Sequence, residues 1–139
     1  MKKIITRFGE LEYDPEKLLN FPAGLIGLPN LRQFIVMPNK KEGPLFWIQS
    51  VDEPEFAFVL TDPTNFFLDY AVVPEDTERQ SLQISKEDPY FVLAVVTVPP
   101  DQKITINLAA PILFSPKTNR AIQVIFDKPH FSSKTPLPE

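Results

Sequence analysis

The chain has 139 residues, 43% hydrophobic and 23% charged, with a formal net charge of −4, which fits one domain with a real core and excludes a disordered chain. It has no cysteine, which excludes a disulfide frame, a thiolate metal site and a cysteine nucleophile. No run approaches the ~18 apolar residues of a membrane span, and Met1–Arg7 carries basic residues without an apolar stretch of signal-peptide length, so a cytoplasmic protein with no membrane partner is expected.

Sixteen prolines against four glycines imply many short elements with firm ends, because proline cannot donate to a β-ladder. Lys2–Arg7 reads as a first strand, Phe8–Glu10 as a turn and Leu11–Tyr13 as the return strand of a hairpin. Asp14 and Pro15 are the N-cap and first residue of one helical turn. Phe21–Pro29 is apolar but broken by two glycines and two prolines, and reads as a packed loop whose glycines supply positive φ. Its G-x-x-G lacks the lysine and the following helix that a phosphate loop needs. Asn30–Gln33 is expected to form a short helical turn, Phe34–Met37 a strand stopped by Pro38, and Asn39–Pro44 a polar turn.

Leu45–Val51 and Phe56–Leu60 are strand-like runs around the hairpin-length loop Asp52–Glu55. Both faces of Leu45–Val51 are largely apolar, so this strand is expected to be covered on both sides or to lie in a closed sheet. Gln49 and Ser50 sit within it, either satisfying buried backbone groups or lying on an edge open to a partner. Asp62-Pro63 breaks the chain before Phe66–Tyr70, and Glu75–Leu82 is the best helix candidate, with acids in its first turn. Tyr90–Val98 is the most apolar strand and is expected to be central. Pro99–Gln102 is a turn, and Lys103–Leu108 alternates, with Ile104, Ile106 and Leu108 inward. Ile112–Phe114 and Ala121–Phe126 are further strands around a turn at Pro116–Arg120. The pattern is all-β, mainly antiparallel, with about eight to ten short strands and one or two short helices. A single domain is expected over 1–126, with 127–139 as a loop-like or partly disordered tail.

Charge is unevenly placed. From Glu42 to Asp101 there are twelve acids and two bases, Arg79 and Lys86, whereas the remainder holds six acids and twelve bases. An acidic middle segment steers a basic partner and repels phosphate backbones, so direct nucleic-acid binding there is not expected. No cofactor or metal is expected. The sole histidine, His130, lies in the tail away from any nucleophile, and Asp52, Glu53 and Glu55 lack the glycine-centred loop of a calcium site. The competing class is a small acidic enzyme using a carboxylate pair for carbohydrate or phosphate chemistry, which a pocket with two facing carboxylates would favour. The candidate partner-binding set is a rim of Asp52, Glu53, Glu55, Asp62 and Asp69 with Phe67 and Tyr70 as apolar anchors.

Several segments, in order and at compatible spacing, resemble the flagellar assembly factor FliW family. They are Ile4–Glu10, Phe21–Gly27, Trp47–Pro54, Ala57–Val59, Asp62-Pro63, Tyr70, Val96–Pro99 and Asn107–Ile112. The resemblance implies a small antiparallel barrel-like fold and a non-enzymatic role. It also implies two partners: the RNA-binding translational repressor CsrA, whose hold on flagellin mRNA such proteins antagonise from outside the RNA surface, and flagellin, which occupies them until it is exported. It assigns no contact residue; the acidic set above comes from the residues themselves.

Overall fold

Two antiparallel strands, β1 (Lys2–Thr6) and β2 (Gly9–Tyr13), form a separate hairpin in full register from Lys2↔Tyr13 to Thr6↔Gly9. The computed structural model describes residues 1–38, 44–98, 100 and 103–138; the turns expected over Asn39–Pro44 and Pro99–Gln102 lie outside these, apart from Pro44 and Pro100. Asp14 then caps a 3-10 turn at Pro15–Lys17, its Oδ1 accepting the Glu16 N–H at 3.0 Å, because proline at the first helical position has no N–H to satisfy.

The main sheet is a barrel. Its strands are β3 (Leu19–Asn20), β4 (Gln33–Pro38), β5 (Leu45–Ser50), β6 (Ala57–Thr61), β7 (Phe91–Thr97), β8 (Thr105–Ile106), β9 (Ile112–Ser115), β10 (Arg120–Gln123) and β11 (Thr135–Pro136). Seven of them close a ring in the order β7-β6-β5-β4-β3-β10-β9, with β9 pairing back onto β7. Closure depends on β7, whose seven residues divide one edge between two neighbours: Phe91–Leu93 pair with β9, and Val96–Thr97 pair with β8. The expectation of a central Tyr90–Val98 strand is therefore met. The pairings are antiparallel except β3 with β10, joined at Arg120↔Asn20.

The two-sided apolar pattern of the strands follows from this closure. One set of alternating residues, including Phe34, Ile48, Leu60, Ile112 and Ala121, fills the barrel interior with Phe21 and Leu31. Phe21 and Phe34 meet edge-on at 5.3 Å, a favoured aromatic geometry. The opposite faces of β7 and β9, with Ala94, Val96 and Leu113, pack outward against Tyr70, Val72, Leu82, Ile106 and Leu108. Burying one such aromatic or aliphatic side chain contributes about 1.5–3 kcal/mol, so both faces of the wall must be covered.

The outer cover is made by the segment between β6 and β7. A 3-10 turn at Pro63–Asn65 is followed by the helix α1 (Asp76–Leu82). Glu78 of α1 accepts the Glu75 N–H at 2.8 Å, and Gln83 ends the helix at φ 57°. Asp88 then ties this segment back to the barrel: the Ser85 N–H first, and Lys117 after it, hold its carboxylate below its ordinary range.

Three short strands, β3, β8 and β11, have two residues each, below what alternation in a sequence can reveal. They bring the total among the described residues to eleven. Thr105–Ile106 is what remains of the longer strand expected over Lys103–Leu108, because the Asn107 side chain accepts both the Ala109 and Ala110 N–H groups at 3.1 Å and turns the chain. Asn30–Gln33 is not a helical turn: Gln33 opens β4, held straight by a carboxylate described below. The segment after Phe126 returns to the sheet. β11 pairs with β8, and Phe131 and Leu137 pack on the outer cluster. The loop Phe21–Pro29 is packed as expected. Gly24, at φ 72°, has no room for a side chain, since a Cβ would lie 2.5 Å from the Pro29 carbonyl oxygen.

Candidate functional site

The two acidic loops lie at opposite ends of β6. Asp52–Glu55 precedes its first residue and Asp62 follows its last, so five residues at about 3.4 Å each separate them by roughly 17 Å along the strand. The expected rim is thus two surfaces.

At the first, the Gln49-Ser50 pair builds the turn. Gln49 is fully buried, and its Nε2 donates to the carbonyls of Ser50 (2.9 Å), Pro54 (2.8 Å) and Phe56 (3.1 Å). The opposite amide orientation would set an oxygen against three carbonyl oxygens, so the orientation is fixed even though Oε1 is left without a partner. Ser50 Oγ accepts the Glu53 N–H at 3.0 Å. Of the two readings of this pair, backbone satisfaction describes it. Asp52 is exposed, but its Oδ2 accepts the N–H groups of Arg32 and Gln33, both at 2.8 Å, which joins the turn to the start of β4. Glu53 is half-buried and Glu55 exposed. The β1–β2 hairpin braces this end, with Arg7 donating to the Glu55 carbonyl at 3.4 Å and Phe8 edge-on to Trp47 at 5.1 Å.

At the second, Asp62 caps the 3-10 turn through the Thr64 N–H (2.9 Å) and hydroxyl (2.6 Å). The chain then makes a tight turn in which the Tyr70 N–H donates to the Phe67 carbonyl at 3.0 Å. This puts Phe67 and Tyr70 at the feet of the turn and Leu68 and Asp69 at its tip. Phe67 is half-buried against the outer cluster. Tyr70 is 3% exposed and is not a surface anchor. Its hydroxyl donates to the Leu108 carbonyl at 2.7 Å, and its ring meets Phe131 at 4.8 Å and Phe126 at 5.3 Å. Burial pushes its phenol well above the ordinary tyrosine range. The tail, returning through Phe126 and Phe131, covers it, which is a long-range contact the local sequence does not carry.

At this turn the apolar residue that faces solvent is Leu68, at 92% exposure, with Val73 at 71% further along. Asp69, Glu75 and Asp76 are exposed beside them in the chain. In the sequence Leu68 follows two phenylalanines and reads as part of their run; its signal is its place, with Asp69, as the inner pair of a four-residue turn.

A cleft of about 310 Å³ brings two carboxylate residues, Glu12 and Asp14, together, but Asp14 serves there as the helix cap already described. Among the described residues no group of three or more His, Cys, Asp or Glu is placed to hold a metal ion, and no helix is long and apolar enough to cross a membrane.

The family model described as "FliW protein" matches residues 3–137. The chain is 66% identical over 138 residues to flagellar assembly factor FliW 2 of Desulfotalea psychrophila, covering 99% of this chain and 91% of that protein. It is 64% identical over 137 residues to flagellar assembly factor FliW of Syntrophotalea carbinolica, covering 99% and 98%. Its fold superposes on the crystal structure of a flagellar assembly factor FliW with a TM-score of 0.87 at 28% identity, covering 99% of this chain and 98% of that one. In sequence over nearly its whole length, and in the closed seven-strand barrel with the helix α1, this chain belongs to the FliW family.

Proposed function

We propose that this chain serves flagellar assembly as a non-enzymatic regulatory protein in the cytoplasm. It binds the translational repressor CsrA, relieves repression of flagellin mRNA, and is itself sequestered by flagellin. Family membership supports the flagellar part. The observation that carries the binding part is the turn tip, where a leucine 92% exposed stands beside Asp69. An isolated exposed apolar side chain next to acids is the chemistry a basic partner with an apolar spot would meet. The partner-binding residues are Asp69 and Leu68 at the tip, with Asp62 holding the turn and Phe67 beneath it. Glu53 and Glu55, with Asp52 as their brace, form a weaker second contact at the other end of β6. Tyr70 acts through the fold by anchoring the turn.

Calorimetry of the purified chain against CsrA and against flagellin, each alone and then in competition, tests this. Saturable binding to both, with flagellin lowering the amount of CsrA bound, is the expected result. Absence of heat with either partner, at concentrations where the chain is folded, overturns it.

A further inference from the structure

A cleft of about 590 Å³ opens where β3, β4 and β10 meet. Arg120, Asn20 and Gln33 are direct neighbours across these three strands, through the pairings Arg120↔Asn20 and Asn20↔Gln33. Directly paired residues project from the same face of a sheet. Their chain neighbours Ala121, Leu19 and Phe34 fill the interior, so this polar row faces outward. Asn20 Nδ2 donates to the Leu18 carbonyl at 3.1 Å, which turns its Oδ1 to accept from Gln33 Nε2 at 3.3 Å. Arg32 and Thr118 complete the walls, with Asp52 beside them.

The two arginines are only lightly engaged. Arg32 Nε makes one contact, to the Pro29 carbonyl at 3.3 Å, and Arg120 Nη1 one, to the Ser81 carbonyl at 3.4 Å. Among the described residues neither forms an ion pair. A guanidinium presents five N–H donors in a planar fork, so most donors of each remain open. Asp52 adds a negative charge, but its Oδ2 is already turned onto the Arg32 and Gln33 N–H groups, and two guanidiniums against one carboxylate leave the cleft positive. In a chain of net charge −4 a positive cleft has to be built locally, because the overall field repels anions.

We infer that this cleft binds the oxyanion group, phosphate or carboxylate, of a small molecule, held between the forks of Arg32 and Arg120 with the amides of Asn20 and Gln33 beside it. Paired forks suit the planar or tetrahedral oxygens of such groups. Its position at the β3–β10 seam, the parallel joint of the barrel, makes occupancy independent of the Leu68–Asp69 tip.

The test is an amide chemical-shift titration of the full chain with inorganic phosphate and, separately, with citrate, at ionic strength held constant by sodium chloride. Saturable shifts at Asn20, Gln33 and Arg120 are expected with at least one probe. Phosphate alone assigns a phosphate-bearing ligand, citrate alone a carboxylate-bearing one, and both an unselective oxyanion site. The R32Q/R120Q chain, checked for its fold by circular dichroism, should bind at least tenfold more weakly, and R7Q should bind as the parent does. If the double variant does not fold, R120K serves, since it keeps the charge but loses the fork and should weaken binding several-fold. No saturable shift with either probe, or equal binding by the folded arginine variants, overturns the assignment.

Discussion

The two ends of β6 carry acids of the same formal charge and use them differently. At Asp52–Glu55 the carboxylate of Asp52 is spent on two backbone N–H groups, and the turn is held from below by Gln49 and Ser50. At Asp62–Tyr70 the cap and the aromatic feet do the holding, which leaves Leu68 and Asp69 at the tip with their side chains exposed. A count of charge along a sequence does not distinguish these cases. What matters is whether some other group has taken over the structural task, so that the acid is free for a partner.

The largest way to break this contrast is at Tyr70. If it anchors the second loop from inside, Tyr70→Ala should destabilise the chain by about 3–5 kcal/mol, as loss of a buried aromatic does. Tyr70→Phe should lose about 1–2 kcal/mol through the unsatisfied Leu108 carbonyl. Denaturant unfolding measures both; a loss below about 0.5 kcal/mol for the alanine variant is the surface value and would return Tyr70 to the exterior.

The next effect sharpens the first loop. Gln49→Leu should destabilise by about 2–3 kcal/mol, because the Ser50 and Pro54 carbonyls lose their side-chain donor in a buried site while the Phe56 carbonyl keeps the Ser50 N–H. Asp52→Ala should remove about 1 kcal/mol, in the range of a lost helix cap, while Asp52→Asn, which keeps an acceptor oxygen, should lose less. Equal stability of the Asp52 variants and the parent would mean its two short contacts contribute nothing and its charge is free.

The smallest free-energy effect is on association. Asp69→Lys should slow the proposed CsrA binding by about threefold at low salt and flatten its salt dependence, the signature of lost electrostatic steering. Glu53→Lys with Glu55→Lys should slow it less, in stopped-flow measurements under the same conditions. The reverse order would move the principal contact to the Asp52–Glu55 end, and unchanged rates in both variants would remove the acidic loops from the interface.

Much of the fold was legible in the sequence. The first hairpin, the Asp14 cap, the packed glycine loop, the long hairpin around Asp52–Glu55, the helix after Pro74 and the central Tyr90–Val98 strand all rest on neighbours within a few residues, where turn chemistry and alternation act. The two-residue strands were not, since two residues show no period. The acids of the candidate site lie close in sequence and read as one rim, whereas β6 sets the two loops at its opposite ends. Leu68 is hidden in the sequence by its apolar neighbours, and the burial of Tyr70 is not legible there because Phe126 and Phe131, more than fifty residues away, decide it.

By itself, the sequence determined the class of fold and the family: short strands with proline stops, apolar on both faces, and segments in a characteristic order are local properties. Tertiary structure alone decided which residues are free to act. Closure of β9 onto β7 gives the barrel strands an inside and an outside, the returning tail buries Tyr70, and the parallel seam of β3 with β10 brings Arg32 and Arg120 to one cleft. Each depends on contacts between distant segments. Exposure and the clustering of charge arise only when those segments meet.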